Sequence, residues 1–200
     1  MLIGELYAES LRGKEVFSFA YNNQWLKSDF AYQLDPDLGL FEGIQYLNED
    51  KSNFGLFLDA SFGVSYLELV DFITKHGAQP QQDLIQLWRR IVFSICVSNT
   101  DDHLRNHGFV FTNKGWVLSP AYDINPVETG TGLKLNISED DNALDLNLAL
   151  SVAPYFRINK TDGERIITEI KNVVAQWKKH ATSYGISRIE QENKAAAFIQ

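Results

Sequence analysis

The residue pattern predicts an α+β fold, with a small β-rich part over residues 1–62 followed by a larger, mainly helical part over 63–200. Two observations carry this. Alternating, aromatic-rich segments occupy the first twenty residues, whereas from Ser65 onward apolar residues recur every three or four positions. Between them, residues 29–59 are punctuated by Asp35-Pro36-Asp37, Gly39, Gly43 and Gly55, which favours turns and short strands over any long element.

Residues 2–8 and 15–21, with Val16, Phe17, Phe19 and Tyr21 in the second run, read as a β-hairpin closed by a Leu-Arg-Gly turn. From Ser65, Leu67, Val70, Phe72 and Ile73 keep one face of a three-turn helix that Gly77 stops. Leu84, Leu87, Trp88, Ile91, Val92, Ile95 and Cys96 then form a continuous apolar stripe, so this segment is a buried helix ending near Ser98. Residues 108–112 and 115–118 read as short strands joined by Thr-Asn-Lys-Gly, and Ser119-Pro120 breaks the pattern. Leu144, Leu146, Leu148 and Leu150 fit either period, with helix preferred. Thr161-Asp162-Gly163-Glu164 has capping-box spacing and opens a helix reaching about Tyr184, where Gly185 stops it. Ser187 and Glu190 repeat the box.

Composition bounds the class. With 200 residues, 44% hydrophobic and 22% charged, the chain has enough core material to fold without staples. Its single cysteine, Cys96, sits in the apolar run IVFSICV as a buried small hydrophobe, which with no visible export signal leads us to expect a cytoplasmic protein. No run approaches the roughly 18 apolar residues of a membrane helix. The net charge of −8 opposes nonspecific nucleic-acid binding. It is uneven: four basic against ten acidic residues over 1–62, six against eleven over 63–150, and eight against five over 151–200, the last a solvated helical face. Trp25, Trp88, Trp116 and Trp177 have no basic residues interleaved and read as core or half-buried anchors.

The segment that carries chemistry is Asn99-Thr100-Asp101-Asp102-His103-Leu104-Arg105-Asn106-His107, followed after a hairpin by Ala121-Tyr122-Asp123. So dense a polar cluster directly after the most apolar helix costs folding stability unless its groups are paired or bind something. Phosphoryl transfer needs a carboxylate to orient the attacking hydroxyl and accept its proton, and oxygen ligands to hold Mg²⁺ against the nucleotide phosphates. Asp101 and Asn106 have the D-x-x-x-x-N spacing of a kinase catalytic loop, and Asp123 stands where a second metal-binding carboxylate is required. Taken alone, these Asp and Asn residues read equally as caps and Asx-turns after a helix end. Asp102 reads as a solvated neighbour of the base or a partner for Arg105. His103 and His107, four apart, would share a helical face and suggest zinc with Asp101 or Asp102, as in a metal-dependent phosphohydrolase. No Glu lies between them, and His103 reads rather as bonded to backbone within the loop.

The runs SNTDDHLRNHGFVF and GWVLSPAYDINP resemble the catalytic and metal-binding loops of the HipA-like serine/threonine kinases, the toxin component of bacterial toxin–antitoxin pairs. Residues 65–200 resemble that family's C-terminal lobe throughout. Residues 1–59, with GELYAE, RGKEVFSFAY and NFGLFLD, resemble the beginning of its N-terminal lobe. The resemblance implies a protein-kinase-like helical C-lobe with a small catalytic hairpin, preceded by a truncated β-rich piece. It implies Asp101 as catalytic base, Asn106 and Asp123 as Mg²⁺ ligands, and His103 and Arg105 as cofactor-binding positions that shape the loop. Mg²⁺ and ATP would be the cofactors, a protein hydroxyl the acceptor, and an antitoxin or a complementary kinase lobe the partner.

The departure from the family is as specific as the match. Where the family carries its phosphate-covering loop, nucleotide-anchoring lysine and phosphorylated segment, only five residues separate Asp59 from Ser65. None of the 13 glycines falls into G-x-G-x-x-G; Gly130-Thr131-Gly132 comes nearest, and it follows the metal loop. The resemblance therefore also implies a chain that binds ATP poorly by itself, or a non-catalytic remnant that binds a partner.

Overall fold

In a computed structural model of the chain, the residues described are 2–11, 14–29, 31, 34, 38–46 and 64–198. The alternating N-terminal segments pair as β1 (Gly4–Leu11) and β2 (Lys14–Tyr21), antiparallel, with Gly4 opposite Tyr21 and Leu11 opposite Lys14. Strand β1 thus runs three residues beyond its expected end, and the turn residues Arg12 and Gly13 lie outside the described residues. A short helix, α1 (Asn23–Leu26), follows directly because the Asn22 side chain accepts the Gln24 N–H. Strand β3 (Ile44–Tyr46) pairs with the free edge of β2, giving the order β1-β2-β3. Phe19 and Tyr21, two apart on one face of β2, bury against Trp25 and Leu38. The expected turns at Asp35-Pro36-Asp37 and Gly55 lie outside the described residues. Residues 1–60 form one unit by themselves and 61–200 a second.

In the second unit, α2 (Tyr66–His76) opens on a capping box of Ser65 with Glu68, which the sequence reading did not single out. Leu67 N–H donates to Ser65 Oγ, and the Glu68 carboxylate accepts from Ser65 N–H at 2.6 Å. Helix α3 (Pro80–Cys96) is the buried centre: Leu84, Leu87, Trp88, Ile91, Val92 and Ile95 are fully enclosed. They pack on Leu69 and Ile73 of α2, on Ala149 and Val152 of α4 (Leu146–Val152), and on Ile166, Ile170 and Val174 of α5 (Lys160–Val174). Trp88 fixes one of these contacts by donating its indole N–H to the Ala149 carbonyl at 2.9 Å.

Two local expectations are corrected. The cap of α5 is Asn159, whose Oδ1 accepts the Asp162 N–H at 2.9 Å, so Thr161 sits inside the helix rather than before it. The helix also stops at Val174, where Gln176 N–H bonds three residues back to Val173, and the chain restarts as α6 (Trp177–Ser183). The second box, Ser187 with Glu190, caps α7 (Arg188–Lys194) as expected. Trp177, half-buried, stacks on Phe198 with ring centroids 4.0 Å apart.

Strands β4 (Phe109–Thr112) and β5 (Gly115–Leu118) form the expected hairpin. The outer edge of β5 has no strand beside it, and the chain around α3 stands in for one. Ala78 N–H donates to Trp116 O at 2.6 Å, Asp83 Oδ2 accepts from Leu118 N–H at 3.0 Å, and Arg90 Nη2 donates to Ser119 O. Two charged residues buried on α3 thereby fix the exit of the hairpin. None of the helices among the described residues is long and apolar enough to cross a membrane.

Candidate active site

The loop after α3 is built by backbone bonds before any side chain matters. Ser98 takes φ 49°, a left-handed turn uncommon outside glycine, and its carbonyl accepts from Thr100 N–H at 2.8 Å and from Val127 N–H at 3.1 Å. Asn99, buried, spans the same gap: its Nδ2 donates to Ser94 Oγ, and its Oδ1 accepts from Asn125 N–H at 3.4 Å. The catalytic-loop and metal-loop segments are thus tied at their roots. Gly130 closes on them, since a Cβ there would lie 2.1 Å from Thr100 Oγ1, so the chain passes Thr100 only as glycine.

Asp101 projects to solvent, while Asn106 is buried at the end of a single 3₁₀ turn, Leu104–Asn106. The Asn106 amide lies between the other two predicted residues. Its Nδ2 is 3.5 Å from Asp101 O, 3.4 Å from Asp123 O and 3.4 Å from Asp123 Oδ2. Asp123 takes φ 55°, a strained setting for a non-glycine residue, and its Oδ1 accepts from Asn125 Nδ2 at 2.8 Å. Tyr122 Oη–H donates to Arg105 O at 2.6 Å, a second tie between the two loops. His103 Nε2 lies 3.5 Å from Arg105 Nη2, and its Nδ1 is buried without a partner. The expected backbone hydrogen bond of His103 is therefore not formed by that nitrogen.

Asp102 departs most from expectation. It is neither solvated nor paired with Arg105: it is 3% exposed, beneath the loop. Tyr66 Oη–H and, at 3.3 Å, Ser94 Oγ–H donate to its Oδ2, and His107 Nε2 sits 3.0 Å from its Oδ1. The His107 contact is one of proximity rather than an aligned hydrogen bond, and the ring meets Tyr66 edge-on at 5.5 Å. Burial first, then the Asp102 charge and hydrogen bond, hold the Tyr66 phenol protonated well above its ordinary range. Burial lowers the Arg90 guanidinium from its ordinary value, opposed chiefly by Asp102. The shared helical face proposed for His103 and His107 is absent, because the turn between them is 3₁₀ and His107 is turned in toward Asp102. Among the described residues no three His, Cys, Asp or Glu side chains group as a ligand set, so the zinc reading has no site here.

Sequence reasoning missed Tyr66 and Asn125, and it gave Asn99, the first residue of the segment, no role. Asn125 had a signal, two residues past Asp123 in YDINP, where an Asn side chain folds back onto its neighbour. Tyr66 had none, because it reaches Asp102 across 36 residues.

An α+β lobe that carries Asp and Asn on one loop and, after a hairpin, Asp on the following turn is of the protein-kinase-like class. The family model of the HipA-like C-terminal domain matches residues 42–177, and the chain belongs to that family. A protein of Haemophilus influenzae (strain ATCC 51907 / DSM 11121 / KW20 / Rd) described as "Putative kinase" is 34% identical over 61 residues, covering 30% of this chain and 18% of that protein. The chain thus matches under a fifth of that relative's length.

Proposed function

We propose that this lobe carries the base and metal side of a phosphoryl-transfer site, acting from Mg-ATP on a serine or threonine hydroxyl of a protein, as a HipA-like toxin kinase would. The observation that supports it is the Asn106 amide lying between Asp101 and Asp123. Asp101, exposed on the loop, is free to orient an incoming hydroxyl and accept its proton. The oxygens of Asn106 and Asp123 suit a hard divalent cation. All three Asn106 contacts exceed the usual 2.9–3.0 Å, so little opposes turning its amide oxygen outward. Bound Mg²⁺ would neutralise phosphate charge as the transfer proceeds. Asn125 holds the second Asp123 oxygen, and His103 with Arg105 shapes the loop on the side a nucleotide would approach.

Transfer depends on positioning the phosphates. The sequence offers no glycine-rich cover loop and no lysine assignable to them, so the chain alone binds ATP weakly and gives no turnover unless a complementary lobe is supplied. The test incubates the full chain with labelled ATP, Mg²⁺ and a generic protein substrate beside Asp101→Asn. Intact kinases turn over at about 1–100 per second, so absence of label supports the proposal for the isolated chain. Label that vanishes in Asp101→Asn identifies a complete enzyme and overturns that part.

A second reading, a partner-binding remnant, is favoured by a cavity of about 800 Å³ lined by Val173, Trp177, Tyr184, Ile186 and Phe198, and by none of the residues of the loop. Under that reading Asp101→Asn leaves binding of an antitoxin or an intact kinase unchanged.

A further inference from the structure

The loop that carries Asp101 and Asn106 is short, polar and set on the end of a helix, and something must hold it against solvent competition. Between Asp101 and His107 its backbone bonds are Asp102 N–H to Asn99 O at 3.3 Å, Asn106 N–H to His103 O at 2.8 Å, His107 N–H to Leu104 O at 3.0 Å and Leu135 N–H to Asp102 O at 3.2 Å. The side chain beneath it is a carboxylate, where an apolar residue would pack with no desolvation cost.

We infer that Asp102 is the positioning residue of this loop: its buried carboxylate, held by Tyr66 and Ser94 on one oxygen and facing His107 on the other, fixes both ends of the segment carrying Asp101 and Asn106. Three elements meet on it. Tyr66 is the first residue of α2, Ser94 lies in the last turn of α3, and His107 directly follows Asn106. Neighbours in sequence therefore face opposite ways, Asp101 out and Asp102 in, and His107 pulls the chain inward one residue after Asn106. The same charge acts on the second loop. Arg90 is buried, Asp102 is the strongest of the charges favouring its cationic form, and its Nη2 holds Ser119 O, four residues before Asp123. One carboxylate thus sets the loop that carries the base and the first metal oxygen. An amide at position 102 would accept the Tyr66 bond but lose the carboxylate oxygen that His107 faces.

The inference rests on the proposed metal site, and its test separates the two. Asp102→Asn, Tyr66→Phe and, as a control that weakens the core elsewhere, Ile170→Val are compared with the wild-type full chain at a temperature where thermal melts show all four folded. Mn²⁺ is titrated by electron paramagnetic resonance, and exchange of the Asn106, His107 and Leu135 amides is followed by NMR. Loss of about ten-fold or more in Mn²⁺ affinity in Asp102→Asn and Tyr66→Phe, with those amides exchanging faster and Ile170→Val staying within two-fold, supports the positioning role. Unchanged affinity and exchange in both variants overturn it. If the wild type takes no Mn²⁺, the metal reading fails and amide exchange alone decides on Asp102. If Asp102→Asn does not fold, Tyr66→Phe decides.

Discussion

The two units spend their polar residues differently. In the sheet of β1, β2 and β3, Ser18 and Gln45 are the buried polar residues among those described, while Leu6, Tyr7, Val16, Ile44 and Tyr46 are exposed. In the helical lobe the apolar stripe of α3 is enclosed, and Asp83, Arg90, Asp102, Asn106 and His107 are buried as well. All five lie in α3 or in the loop it feeds. Burying ionisable groups is costly, so a lobe that does it in one place and packs apolar side chains elsewhere is shaped around that place. Among its described residues the sheet shows no such concentration.

The largest expected effect tests the lobe's apolar half. Trp88→Ala should cost about 3–5 kcal/mol, since it removes a fully buried ring and its bond to Ala149. A chemical denaturation midpoint unchanged by this substitution would break the comparison. Next comes the polar half. Tyr66→Phe, which takes a donor from the buried carboxylate of Asp102, should cost about 1.5–3 kcal/mol. It also carries a pH signature. The native state holds Tyr66 neutral beyond the unfolded value of about 10, so this stability is complete below that pH and is lost as pH rises beyond it. Tyr66→Phe should flatten the alkaline limb of the stability curve; an identical limb would show that Tyr66 ionises freely.

Smaller effects sharpen the picture. Ser65→Ala, removing the cap of α2, should cost about 1 kcal/mol in a thermal melt. The exposed pair of Arg89 with Glu169 should matter at neutral pH and not at acid pH. The Arg89 hydrogen bond holds the Glu169 carboxyl below its ordinary value, so its contribution is present above about pH 4.3 and disappears as pH falls below. Arg89→Ala should therefore narrow the difference between melts at neutral and acid pH. Least of all, Leu6→Ala on the exposed sheet face should fall within about 0.5 kcal/mol. A larger loss would mean that the face is covered.

The order of elements was legible because each rests on local chemistry. The period of α3, the capping box of α7 and the turn formers of the second hairpin all act within a few residues. Helix α5 was misjudged at both ends, since Asn159 outcompetes Thr161 as cap and nothing in VVAQW marks the break. At the site, that Asp101, Asn106 and Asp123 lie together was expected from their spacing and the family resemblance jointly, whereas the burial of Asp102 was not. Its partners Tyr66 and Ser94 come from other elements, and two adjacent aspartates look alike until the backbone turns one inward. Likewise Asp83 and Arg90 interrupt the helical stripe for a reason visible only once β5 lies beside it.

The account stands most directly on one measurement, an electron paramagnetic resonance titration of the wild-type chain and Asp123→Ala with Mn²⁺, with and without ATP. One Mn²⁺ per chain, lost in Asp123→Ala and bound no more tightly when ATP is added, is the predicted result for a lobe that keeps the metal side of the site without the nucleotide side. Binding that survives Asp123→Ala, or a wild-type chain that takes up no Mn²⁺, would contradict it.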